Sequence, residues 1–249
     1  MSGEPTELEA AAELSAEQQG ASGAVPEVKR STAADIAAFL ARARAASPDA
    51  KGRLIFALDA TMSRQPTWDM ACSLQADMFR EATAIGSLEI RLVYYRGGDE
   101  CRASRWISDS AQLARLMAKI DCRGGNTQIG KVLADARREA AASAVRAVVF
   151  VGDAMEEHID ALCAKAGELG LLKVPVFMFQ EGCDIKVERA FKEIARLTGG
   201  AWCRFDPGAA AQLRDLLRAA AAYAAGGREA LLLMSKRGNG AASLLGQMR

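Results

Sequence analysis

The sequence predicts an α/β fold: a doubly wound, mainly parallel sheet with one antiparallel edge strand and helices on both faces. Three observations lead there. Apolar runs of strand length alternate with helix-length segments along most of the 249 residues. Several runs are apolar throughout, as strands covered on both faces must be. Two of them, RLIFALD and VRAVVFVGD, end in an acid, Asp59 and Asp153, at the strand ends where open α/β sheets bind ligands.

The elements follow in order. Residues 1–30 are acidic and polar, with few large apolar groups, and are expected to stay disordered because burial cannot offset the entropy of ordering. An N-terminal helical segment is expected over 31–50, its clearest part from Ser31 to Ala46: Thr32 with Asp35 resembles a capping box, and Ile36, Phe39 and Leu40 make an apolar stripe. The domain proper is expected over 51–225. RLIFALD (53–59) is its first strand, and Pro66 opens a helix reaching about Gly86. LEIRLVYYR (88–96) is a strand, and Gly97 and Gly98 turn the chain into CRASRWI (101–107), an antiparallel edge strand. Ser108 is expected to cap a helix ending near Ile120, and Thr127 to begin one running to Ala142. VRAVVFVGD (145–153) is a buried strand, followed by a helix from Ile159 to Gly170 and a strand, VPVFMFQ (174–180), with Pro175 near its start. A helix from Lys186 to Thr198 stops at Gly199 and Gly200. AWCRF is the last strand, 209–225 the last helix, and 226–249 is expected to be a flexible tail.

Composition narrows the function. The net charge is +1, from 32 basic and 31 acidic residues, so nothing points to nucleic acid as the partner. No segment reaches the apolar length of a membrane span, about 18 residues. The acidic opening lacks the basic and apolar regions of a secretory signal, and a cytoplasmic location is expected. Six scattered cysteines, with no C-x-x-C pair, read as reduced thiols rather than disulfides or a zinc site.

The chemistry gathers in three segments. Asp59-Ala60-Thr61-Met62-Ser63 sets three oxygen-bearing side chains two residues apart just beyond the first strand. Gly124-Gly125-Asn126-Thr127 offers a further hydroxyl, and Asp153 a second carboxylate. Two carboxylates and three hydroxyls form a hard oxygen set suited to Mg²⁺ first, with Mn²⁺ or Ca²⁺ as alternatives. Neutral hydroxyls leave such an ion short of negative charge, so it attracts an outside carboxylate. Taken singly, Asp59, Thr127 and Asp153 are each explained as well by capping a helix or loop.

LIFALDATMSR, GGNTQIG and VVFVGDAMEE resemble the metal-site loops of the von Willebrand factor A family, of the bacterial intracellular type with a MIDAS-like (metal-ion-dependent adhesion) site. The resemblance covers roughly residues 50–225 and implies a VWA/Rossmann-like fold. It implies that Thr61 and Ser63 bind the metal directly, Thr127 directly or through water, and Asp59 and Asp153 through coordinated waters. Thr61 stands where the family has its first Ser, and Gly152 and Ala154 stand where it often has Thr and Gly. The implied function is non-enzymatic: metal-dependent capture of an Asp or Glu on a partner protein, with an AAA-type ATPase or a stress system as the expected setting. The alternatives are a Mg²⁺-dependent phosphohydrolase of the haloacid dehalogenase type, which wants an acid where Thr61 stands, and a metal-free scaffold. A dinucleotide enzyme is disfavoured because no G-x-G-x-x-G follows the first strand.

Around these residues, Glu156 and Glu157 read equally as site rim or as a helix first turn. Arg64 reads as a solvated arginine or one that greets an acidic partner. His158, the sole histidine, reads as a surface or capping residue, and Trp68, Trp106 and Trp202 as packing.

Overall fold

The computed structural model describes residues 52–236 and 239–248. The tail and helix expected over 1–50 lie outside the described residues. The strands are β1 (Gly52–Asp59), β2 (Leu88–Arg96), β3 (Glu100–Ala103), β4 (Ala147–Gly152), β5 (Val176–Glu181) and β6 (Ala201–Phe205). The helices are α1 (Gln65–Thr83), α2 (Ser110–Met117), α3 (Ile129–Ala142), α4 (Ile159–Leu171), α5 (Ile185–Thr198), α6 (Ala210–Ser235) and α7 (Asn239–Leu245).

The sheet runs β3-β2-β1-β4-β5-β6. Every pairing is parallel except β2 with β3, as the apolar patterning predicts. Side chains alternate along β1. Leu54, Phe56 and Leu58 face a core with α1, α2, α6 and α7, whereas Ile55 and Ala57 face one with α3, α4 and α5. All five are buried, so β1 is the central strand held from both sides. The strand order reverses between β1 and β4, and beyond this switch point the chain passes to opposite faces, the position at which open α/β sheets bind ligands.

Several boundaries differ from expectation, each for a local reason. The antiparallel edge strand ends at Ala103, and Ile107 returns only as an isolated bridge to Ile90. Helix α2 is capped by Asp109 rather than Ser108, because the Asp109 carboxylate accepts hydrogen bonds from Ala111 N and Gln112 N. Helix α3 begins at Ile129, so Thr127 precedes the helix instead of opening it. Of the flexible tail expected from residue 226, the described residues are largely helical and packed. Gly227 breaks α6 with φ 67°, after which the helix resumes to Ser235. Leu231, Ala241 and Leu244 are buried against the sheet's first face. The Gly226-Gly227 pair reads as a helix stop, which hid this continuation. Within the helix expected over 209–225, the Ala run lies so close to β1 that a Cβ on Gly52 would sit 2.5 Å from the Ala224 carbonyl oxygen.

Candidate metal centre

The first loop leaves β1 at Asp59. Asp59 is 2 % exposed, and its Oδ1 accepts a hydrogen bond of 2.7 Å from Thr61 N. That bond turns the chain back toward the strand end. Thr61 is buried, Ser63 is exposed, and their hydroxyl oxygens lie 3.4 Å apart. The two-residue spacing seen in the sequence therefore does bring these hydroxyls side by side.

The second loop is pinned on three sides. Arg123 N donates to Ala60 O at 3.0 Å, joining it to the first loop. Gly125 passes so close to the β2–β3 turn that a Cβ would sit 1.9 Å from Gly97 O; only glycine fits there. Thr127 is tied to the third loop by a reciprocal pair. Thr127 N donates to Glu156 Oε2 at 2.9 Å, and Glu156 N donates to Thr127 Oγ1 at 3.0 Å. Asp153 directly follows β4, the strand beside β1. Asp59, Thr61, Ser63, Thr127 and Asp153 thus stand on three cross-linked loops at one end of the sheet.

Glu156, exposed and paired with Thr127, lies at the rim of the candidate centre, and neither Glu156 nor Glu157 opens a helix. Glu157 accepts from Ile129 N at 2.6 Å and Gly130 N at 2.8 Å, so it caps α3 from a different loop. Helix α4 begins only at Ile159, after an exposed His158. Trp68 is buried and donates to Met117 O at 3.3 Å. Trp106 and Trp202 are half-buried packing residues that donate to Glu139 and Gln180.

Arg64 is the largest departure. It is only 2 % exposed, so it neither sits in solvent nor meets a partner. Its Nη1 bonds Glu181 at the end of β5 and lies 3.6 Å from Asp153 Oδ2. Thr67 Oγ1 donates to the same Glu181 oxygen. Sequence reading missed Glu181 and Tyr95. The signal for Glu181 was its place at the end of a third buried strand; for Tyr95 there was none, because its pairing with Asp59 is a matter of register.

Burial shapes the electrostatics. Desolvation raises the Asp59 pKa above the usual carboxylate value; hydrogen bonding from Thr61 and the neighbouring Tyr95 hydroxyl partly opposes this, and the Asp153 charge adds to it. Burial, then the Asp59 charge, also pushes the Tyr95 phenol well up, and its hydroxyl has no well-formed hydrogen bond. Asp59 Oδ2 and Asp153 Oδ1 are buried without a hydrogen-bond partner. A buried, unpartnered carboxylate oxygen costs free energy, and two of them beside neutral hydroxyls fit a hard divalent cation. Among the described residues, no group of three His, Cys, Asp or Glu side chains is placed to hold a metal, so any site here depends on hydroxyl oxygens.

No family model and no curated protein matches the sequence. Solved structures do. The VWA domain of SpRpn10 aligns with TM-score 0.54 at 12% identity, over 66% of this chain and 94% of that one. The chain has a von Willebrand factor A fold. An aerotolerance-related membrane protein from Bacteroides fragilis aligns with TM-score 0.52 at 18% identity, over 68% of this chain and 98% of that one. Proximal thread matrix protein 1 of the mussel byssus, with a zinc-occupied MIDAS motif, aligns with TM-score 0.54 at 16% identity, over 69% of this chain and 46% of that one. The three candidate loops of this VWA fold lie at the carboxyl ends of its central strands.

Proposed function

We propose that the protein is a divalent-cation-dependent binding module that captures an acidic side chain of another protein and does not catalyse a reaction. The observation that carries this reading is the pair of unpartnered, buried oxygens, Asp59 Oδ2 and Asp153 Oδ1, at the ends of the two central strands, on loops cross-linked to those of Thr61, Ser63 and Thr127. Thr61, Ser63 and Thr127 would supply neutral oxygens to the ion; Asp59 and Asp153 would hold its waters and orient the hydroxyls. The ion, Mg²⁺ in the first instance, would supply an electrophilic coordination position for an incoming Asp or Glu. Exposed Ser63, Met62 at 63 % exposure and exposed Arg123 would form the partner-facing rim. The mussel protein's zinc-occupied MIDAS motif supports the same reading by analogy of fold.

A hydroxyl at Thr61 in place of an acid disfavours the phosphohydrolase alternative. An AAA-type ATPase remains the partner class the resemblance suggests. Six unpaired cysteines fit a reducing, cytoplasmic setting, and among the described residues no helix is long and apolar enough to cross a membrane.

The test is calorimetric titration of Mn²⁺ and Mg²⁺ into wild type and Asp59→Ala, followed by capture from native cells with Mg²⁺ or chelator. The expected result is one ion bound by wild type, at least tenfold weaker binding by the folded variant, and a partner retained only with wild type in Mg²⁺. Capture that persists in chelator, or that Asp59→Ala in Mg²⁺ retains undiminished, overturns the proposal.

A further inference from the structure

A permanently charged guanidinium lies buried at the edge of the candidate metal centre. Arg64 is anchored by Glu181, which also accepts from Thr67, and its Nη1 lies 3.6 Å from Asp153 Oδ2. The two oxygens of Asp153 are therefore divided: Oδ2 faces Arg64, while Oδ1 is buried without a partner. An arginine keeps its proton throughout the physiological range, so its charge repels a divalent cation at the centre. Glu181, in direct contact with the guanidinium and 8 % exposed, supplies the opposite charge. Burial keeps either charge from being screened by solvent.

We infer that the Arg64–Glu181 pair is a built-in regulator of ion affinity, with Arg64 a positioning residue that aligns Asp153 while its charge weakens the ion's hold, and Glu181 offsetting that charge. This rests on the metal reading above. The pair joins β5 to the loop beyond β1.

Opposite signs separate this role from a merely structural one. Arg64→Met leaves Glu181 as a surplus negative charge, and Mn²⁺ should bind about tenfold more tightly. Glu181→Gln leaves Arg64 uncompensated, and Mn²⁺ should bind about tenfold more weakly. The double variant R64M/E181Q should return to within about threefold of wild type, because the two charges cancel. Loss of packing alone would weaken binding in both single variants and weaken it further in the double.

The measurement is Mn²⁺ affinity by calorimetry on the full chain, with circular dichroism to verify folding. Shifts of the same sign, or no shift, in the two single variants overturn the inference while leaving the metal reading intact if wild type binds. Binding by Arg64→Met but not by wild type supports the inference and overturns ion capture by the wild type. Failure of both to bind overturns both readings. Should a single variant fail to fold, the wild type carries the test through the Arg64 Nε–H signal in a ¹⁵N spectrum. Mg²⁺ should move that signal in wild type and leave it in place in Asp59→Ala; an unmoved wild-type signal at Mg²⁺ levels that saturate calorimetric binding overturns the inference.

Discussion

Asp59 is a carboxylate at odds with its surroundings. Burial raises its pKa in the fold, so without a cation the folded state favours the protonated form more than the unfolded chain does. The sign follows from linkage. The stability Asp59 contributes is fully present below its unfolded pKa, about 3.9, and is lost as pH rises through the raised folded value. Asp59→Asn removes the charge and keeps the shape. In chelator at pH 7 the variant should unfold at a higher temperature than wild type, and the gap should close as pH falls toward about 4. Thermal scans across that range check it; a variant less stable than wild type at pH 7 would show that the fold prefers the ionised carboxylate. With a divalent ion present the order should reverse, since only wild type gains from binding. Sequence reading found Asp59 and Asp153 from their places at strand ends. It misjudged Arg64, because a residue's number within a loop says nothing about which way its side chain turns.

At the scale of elements, α3 depends on a cap it does not carry. Its amides at Ile129 and Gly130 are satisfied by Glu157 from the loop beyond β4. The same loop holds Thr127 through Glu156, so helix start and candidate site are fastened together. Glu157→Ala should cost about 1–2 kcal/mol in urea unfolding and speed amide exchange at residues 129 and 130; an unchanged midpoint would show that solvent serves those amides as well. Strands were more legible than helix ends. The strands over 88–96 and 201–205 matched their expected bounds, because their largely alternating apolar residues face the core. The caps of α2 and α3 did not, since several neighbouring residues are competent to cap and tertiary contacts choose among them. The end of α6 escaped notice for another reason: Gly226 and Gly227 read as the end of a helix, whereas the chain kinks at Gly227 and the helix resumes, burying Leu231.

For the whole molecule, ion binding and stability are one equilibrium. An ion held only by the folded state stabilises it by about 2.7 kcal/mol at a concentration of 100 times Kd. The melting temperature of wild type should therefore climb with Mg²⁺ concentration, and that of Asp59→Ala should not. Parallel rises in both proteins, measured by scanning calorimetry, would place the ion elsewhere.

The sequence by itself determined the α/β class, the parallel strands and the five oxygen-bearing candidates, because periodicity and strand-end position are local properties. The tertiary structure alone decided that Arg64 turns inward onto Glu181, that Glu157 caps a distant helix and that Leu231, Ala241 and Leu244 pack on the core. Those outcomes depend on which strands lie side by side and how closely backbones approach. Neither is encoded in any single segment.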